Sequence, residues 1–274
     1  MKTVLITGTS SGIGKAAVKY FSEQGWQVAA TMRTPQKEHE LGLLPNVKLY
    51  PLDVTDDESI QSAIQASIKD FGGIDVVVNN AGYGAVGIFE KATKEQIQKQ
   101  FETNVFGVMN VTRQILPYFR EKNAGTIINV TSMGGRITFP IYSVYHGTKW
   151  AVEGWAEALQ FELRPFNIKI KNVEPGAIKT DFYERSMDLF KKEGLNTYNE
   201  YEQIVYQNSQ KAGETAPLPI VVAKTIFKAA TDNSNKLRYP SSPQSAMLLF
   251  LRWLLPLKTF MAIVRSVVEK GFKK

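Results

Sequence analysis

Tyr145 and Lys149 stand four residues apart in Val144–Leu163, a stretch with helical periodicity, so both side chains share one face. Moving a hydride onto a carbonyl creates an alkoxide that needs a proton, and the reverse reaction needs a base. A free tyrosine, with a pKa near ~10, is a poor base at neutral pH. An ammonium beside it favours the phenolate and makes it a usable acid and base. Ser132 lies in Asn129-Val130-Thr131-Ser132, thirteen residues before Tyr145, and its hydroxyl can donate to the same carbonyl oxygen. Asn104 sits inside the helical pattern Lys94–Leu116, where asparagine is a mediocre former. A role in the site and a local kink both explain it. Taken singly, Tyr-x-x-x-Lys is a common coincidence on helices.

A nucleotide site is legible at the start of the chain. Thr7-Gly8-Thr9-Ser10-Ser11-Gly12-Ile13-Gly14 follows an apolar strand, Val4–Ile6, and opens a helix, Ile13–Gln24. Gly8 permits a tight turn, Gly12 lets backbone approach a pyrophosphate, and Gly14 lets the helix pack close to the sheet. Free N–H groups at the helix start attract phosphate, so Ser10, Ser11 and Ile13 join the glycines as candidate contacts. A merely flexible turn would also use these glycines; the strand–loop–helix context favours phosphate binding. The second strand ends Ala30-Thr31-Met32-Arg33, with Met32 where an NAD-specific fold places an acid. Arg33 can grip a 2′-phosphate with its planar fork, which favours NADP over NAD as cofactor, although a solvated loop arginine would read the same.

Three residues between the first two glycines is the spacing of the short-chain dehydrogenase/reductase family, whose standard subgroup this sequence resembles. Asn104, Ser132, Tyr145 and Lys149 match that family's Asn-Ser-Tyr-Lys tetrad, and Asn79-Asn80-Ala81-Gly82 matches its Asn-Asn-Ala-Gly segment. The resemblance covers residues 1–235. It implies that Tyr145 transfers the proton, Ser132 orients the carbonyl, Lys149 lowers the tyrosine pKa and binds the nicotinamide ribose, and Asn104 holds a water in a proton relay. It also implies that Asp53 and Val54 meet the adenine, that Asn80, Ala81 and Gly82 pass along the cofactor, and that Pro175, Gly176, Ile178 and Thr180 contact the nicotinamide amide. Asp53 reads equally as a helix cap, a job for which Thr55 competes. Relatives are usually homodimers or homotetramers built through the 94–116 and 144–163 helices.

The sequence departs from the family in two places. Many NADP-using relatives carry a second basic residue where Ser11 stands, and Lys15 is the nearest candidate to compensate. His146-Gly147-Thr148 also replaces a common Ala-Ser before the lysine. His146 reads as a packing residue, and His39, in a polar loop, as solvated surface.

Strands rich in β-branched residues and without strict alternation recur at Val4–Ile6, Val28–Ala30, Val47–Tyr50, Val76–Val78, Ile127–Val130 and Ile168–Val173. Both faces of such strands are buried, as in a parallel sheet. Helical patterns between them, including Asp57–Phe71 after a Thr55 cap, complete a single doubly wound α/β domain of Rossmann-like class. About seven strands are expected, with helices on both faces and C-terminal lid and tail helices. With no cysteine, disulfides and thiolate metal sites are excluded, and two histidines argue against a histidine-based metal site. No leader pattern precedes the first strand, so a cytoplasmic location is the default expectation. From Arg252 onward six basic residues face one acid, so most of the formal +7 belongs to the tail. The nearly neutral body lacks the basic stripe of a nucleic-acid reader.

Residues 181–219 carry few strand signals and many aromatics, including Phe182, Met187 and Phe190, as in a lid over a pocket. Met133, Phe139, Ile141 and Tyr142 are expected on the opposite wall. Such a lining suits a small apolar ketone or alcohol, a steroid, a retinoid or a long-chain alcohol; packing of lid on body would use the same residues. The tail, 246–274, is apolar with interspersed arginines and lysines, and Pro256 breaks it. Its apolar face can be buried on the lid, in a subunit interface, or in the headgroup zone of an anionic membrane. The reading as a whole is an NADP(H)-dependent oxidoreductase of ketones and alcohols. A non-catalytic nucleotide sensor on the same fold is the alternative, which a decayed tetrad would have supported.

Overall fold

Nine strands and nine helices are found among the described residues, 1–179 and 187–272, of this computed structural model. Its strands are β1 (Thr3–Thr7), β2 (Gln27–Met32), β3 (Val47–Pro51), β4 (Val76–Asn79), β5 (Gly84–Val86), β6 (Gly125–Val130), β7 (Ile168–Glu174), β8 (Met187–Leu189) and β9 (Arg238–Pro240). The helices are α1 (Gly12–Glu23), α2 (Asp57–Phe71), α3 (Lys94–Phe101), α4 (Gly107–Lys122), α5 (Ser143–Leu163), α6 (Asn199–Glu214), α7 (Ile220–Thr231), α8 (Pro243–Leu254) and α9 (Leu257–Val268).

Seven strands form one parallel sheet in the order β3-β2-β1-β4-β6-β7-β9. The unbroken apolar runs of β1 and β4 bury both faces, with Val4, Leu5, Ile6, Val77 and Val78 having essentially no exposure. One core lies between the sheet and α1 and α7, where Phe21 and Ile226 pack with Val4, Ile6 and Val28. A second lies on the other face, where Ile60, Ile115 and Leu159 of α2, α4 and α5 meet Leu5 and Val77. Strand order reverses between β1 and β4, which opens a crevice at the carboxyl ends of those strands.

The 94–116 pattern carries the break that the sequence leaves open at Asn104: α3 passes into a five-residue π-turn, Glu102–Phe106, before α4 begins. Gly107 N–H bonds back to Glu102 O, and the wide turn swings Asn104 inward, where it is buried. Asp56, and not Thr55, caps α2, accepting from the backbone N–H of Glu58 and Ser59. Thr55 instead donates its hydroxyl to Asp53 at 2.8 Å.

Of the 181–219 stretch, the part from residue 187 onward holds a strand and a helix. Strand β8 pairs with β5 in a small parallel sheet, and α6 follows it. Thr180 and Phe182 lie outside the described residues, as does the side chain of Met187. The tail folds back on the molecule as α8 and α9. Phe260, Val264 and Leu249 bury themselves with Ile137, against Met133 and Phe139. Tyr201 and Asn208 of α6 tie the end of α9 through Glu269 and the carbonyls of Val268 and Lys270.

Candidate active site

The crevice at the switch point is one end of a cleft of about 1460 Å³ that runs along the carboxyl ends of the strands to the tail helices. Its first part is the glycine loop. Gly8 adopts φ +69°, and a Cβ there would come within 2.7 Å of the Ala81 Cα. A Cβ on Gly14 would sit 2.3 Å from the Gly8 carbonyl oxygen. Both positions are therefore closed to any side chain. Thr7 and Asn80 lock the loop to the end of β4: Asn80 Nδ2 donates to the carbonyls of Thr7 and Gly8, at 2.9 and 3.0 Å, and Thr7 Oγ1 accepts from Asn80 and Ala81 N–H. Ser10, Ser11, Gly12 and Ile13 line the cleft at the start of α1, whose first turn carries no acidic residue. This is a cradle of backbone N–H groups suited to a pyrophosphate, with the helix dipole behind it.

Further along the same wall lie buried Met32, exposed Arg33, Asp53 and Val54, then Asn80, Ala81 and Gly82. Met32, the last residue of β2, is apolar, and Arg33 follows it. Lys15 does not compensate for Ser11, because its ammonium is held by Glu38 and Glu40, both at 3.0 Å. Pro175, Gly176 and Ile178, after β7, form the floor beyond. The residues present thus fit a dinucleotide laid across the switch point.

At mid-cleft the tetrad residues converge unequally. Ser132, Tyr145 and Lys149 all line the cleft. Ser132 Oγ accepts the Gly134 N–H at 2.9 Å, which leaves its own proton to donate. Lys149 Nζ donates to the Val130 carbonyl at 3.1 Å and lies 5.7 Å from the Tyr145 ring centroid. Burial pushes the Lys149 pKa down to about 8, while the charge of Glu153 pushes the other way. Asn104 stays behind the wall. Its Nδ2 donates to Tyr83 O and Thr148 Oγ1, and its Oδ1 accepts from Tyr83 N–H, so its amide holds the chain just past Gly82.

Lys149 is followed one turn later on α5 by Glu153, a buried carboxylate that sequence reasoning missed. It accepts from Thr131 Oγ1 at 2.6 Å, Asn172 Nδ2 at 2.9 Å and Arg238 Nε at 3.0 Å. Behind it, Asn79, Asn129 and Asn172 occupy one register row across β4, β6 and β7, each amide donating to the next at 3.0 Å and the last to Glu153. Glu174, fully buried nearby, is pushed up to about 7 by its burial, with the Glu153 charge adding to the rise. The signal available in sequence was an amide at the end of each of three apolar strands.

His146 is buried, stacks on Tyr142 and accepts the Phe139 N–H through Nδ1 at 3.3 Å. Burial pushes its pKa down to about 4, so it is neutral packing at physiological pH. His39 is exposed. No cluster of metal-ligating side chains occurs among the described residues.

The far end of the cleft holds most of its large apolar side chains. Met133, Phe139 and Tyr142 line it as expected, but Phe190 and Ile141 do not. Phe190 packs with Ala85 and Val144, and Ile141 joins Val86, Ile88 and Val205. The opposite wall is shared by the 181–219 stretch, through Asp188, Asn208, Ser209 and Thr215, and by the tail, through Leu248, Leu251, Phe260 and Val264. The apolar spacing of the tail was visible in sequence; that it faces the site was not.

Residues 2–188 match a family model described as short chain dehydrogenase. An uncharacterized oxidoreductase of Bacillus subtilis, YusZ, is 38% identical over 97% of this chain and 98% of its own length. A 3-ketodihydrosphingosine reductase of Bacteroides thetaiotaomicron is 42% identical over 65% of each chain. Among solved structures, ElxO with NADP bound superposes with a TM-score of 0.72 at 30% identity, covering 89% of this chain and 99% of that one.

Proposed function

The chain belongs to the short-chain dehydrogenase/reductase family and is a nicotinamide-dependent oxidoreductase; from this we propose an NADP(H)-dependent reductase of long apolar ketones, run by Tyr145. The observation that carries the proposal is the order of parts along one cleft: glycine cradle, then Ser132, Tyr145 and Lys149, then an apolar chamber.

Gly8, Gly12, Gly14, Asn80, Lys149 and the Pro175–Ile178 turn would hold the dinucleotide, with Arg33 at the 2′-phosphate. When bound, the nicotinamide supplies the hydride in reduction and takes it in oxidation. The protein handles the oxygen. Ser132 donates its free proton to the substrate carbonyl, fixing the oxygen beside the Tyr145 hydroxyl. Tyr145 gives up its proton as the alkoxide develops, and the Lys149 ammonium stabilises the phenolate left behind. Asn104 positions the Tyr83 backbone at the edge of this site without touching the reacting atoms.

The NADP reading is supported by Arg33 without an acid at Met32, and by ElxO, which was solved with NADP. The apolar chamber, together with a relative named for reducing 3-ketodihydrosphingosine, supports a long-chain ketone. NADPH oxidation with a series of ketones of increasing chain length tests the proposal. Wild type is expected to prefer the long members, and Tyr145→Phe to lose about 10²–10⁴ in rate. Equal rates for the two proteins refute the tyrosine mechanism.

A further inference from the structure

Helix α8 has two apolar faces, and only one is used inside the molecule. Leu249 and Ser245 face inward and are buried. On the opposite face Met247, Phe250 and Leu254 are more than half exposed, and beside them Trp253 reaches 75% exposure. Ala246 shares that face, and no charged residue interrupts it. Leu257, at the start of α9, continues the stripe past Pro256, and Ile263 and Val267 extend the exposed apolar surface along α9. A soluble surface rarely keeps so many large apolar side chains together without a use for them.

We infer that this face docks on an anionic lipid bilayer, with α8 lying in the interface plane. Three observations select a bilayer over a second copy of the chain. First, from residue 233 to the end Glu269 is the only acid, against eight lysines and arginines, among them Arg252, Lys258 and Arg265 around the stripe. Interface cores between proteins are depleted of lysine, whereas anionic headgroups attract it. Second, the stripe presents Trp253 and Phe250 beside cations, the pairing that settles at the headgroup level.

Third, the stripe runs into the cleft. Met247, Ile263 and Val267 are exposed at the surface and also line the cleft, so apolar lining continues from the chamber to the stripe. A second copy seated there would stopper the cleft. A bilayer seated there would bring acyl chains to its mouth. The binding itself goes beyond the proposed reduction and stands without it.

The test is co-sedimentation with phosphatidylserine-containing vesicles and with pure phosphatidylcholine vesicles, at low and high salt, using the whole chain. Binding is expected to the anionic vesicles and to weaken with salt. Lys258→Gln with Arg265→Gln is expected to weaken it about ten-fold, a few-fold for each charge removed. Phe250→Ser with Trp253→Ser abolishes it while turnover of a short soluble ketone is kept, since neither residue lines the cleft. Brominated lipids quench wild-type tryptophan fluorescence, and Trp253→Phe removes most of that quenching. The inference falls if wild type fails to bind anionic vesicles, or if binding survives Phe250→Ser with Trp253→Ser. It falls equally if those substitutions dissolve a dimer in a protein that never sediments with lipid. None of these readouts depends on ketone reduction, so a failed reductase assay leaves the docking result standing.

Discussion

Replacing Lys149 with methionine should make the protein more stable while removing its activity. Burial pushes the Lys149 pKa from 10.5 down to about 8. Keeping the ammonium charged at pH 7 therefore costs the fold on the order of 3 kcal/mol. Two effects reduce what methionine recovers. Lys149 still borders the open cleft, where solvent relieves part of the penalty, and the Val130 carbonyl loses its donor, worth about 1 kcal/mol. A net gain of about 1–2 kcal/mol remains.

For a chain of 274 residues the unfolding entropy is roughly 0.6 kcal/mol per degree, so the gain is a rise of about 2–3 °C in Tm. Its sign depends on pH. A lysine whose folded pKa lies below its unfolded one binds fewer protons when folded, so stability rises with pH between the two values. The penalty is complete below about 8 and gone near 10.5. Calorimetry of the cofactor-free protein at pH 7 and at pH 10.5 is the assay. The variant should melt above wild type at pH 7 and lose that advantage at pH 10.5, with reduction of any ketone falling at least about 10²-fold. A lower Tm at pH 7, or a gain that does not change with pH, would refute the claim that Lys149 is a partly buried cation held against its own solvation.

Arg33→Asp should raise KM for NADPH by about 10–100-fold, the value of a charge-assisted contact exchanged for repulsion, and leave NADH almost unaffected. An unchanged preference, measured by initial rates with both cofactors, means that Arg33 does not read the phosphate. Phe260→Ala removes a buried ring that is also cleft wall. A loss of about 3 kcal/mol, near 5 °C in Tm, is expected, with KM rising for long ketones and not for short ones. Unaltered melting and unaltered KM would show that α9 is not docked as described.

The sheet was legible in sequence because its strands are buried on both faces, which writes itself as runs such as Val4–Ile6 and Val76–Val78. The glycine loop was legible because close approach excludes every other residue at Gly8 and Gly14. The missed elements share a physical cause. Strands β5 and β8 are three residues each and pair across more than a hundred residues, so no local period marks them. Phe190 and Ile141 carried the right chemistry for a pocket wall, but apolar character does not say which of two apolar environments a side chain enters. The tail showed the complementary problem. Its helical period was plain, but the partner that buries Phe260 and Val264 is Ile137, more than a hundred residues away. Asn104 was singled out as an oddity inside a helix, and the π-turn around it accounts for that oddity.

The row of Asn79, Asn129 and Asn172 has a consequence for how the sheet assembles. Parallel strands are joined by long crossovers, and valine against isoleucine pairs almost as well one step out of register as in it. The three amides do not tolerate such an error. Sliding β6 by one residue would part its asparagine from both neighbours at once and seal two or three amide groups among hydrocarbon, at about 1–3 kcal/mol each. The penalty would fall at the carboxyl ends of β4 and β6, where Asn80 and Ser132 begin. A slipped strand would displace those residues by about 3.3 Å along it, more than the length of a hydrogen bond. The amide row works as a proofreader of strand alignment: a chain that has satisfied it has already set the ends of its central strands to the tolerance that proton transfer requires.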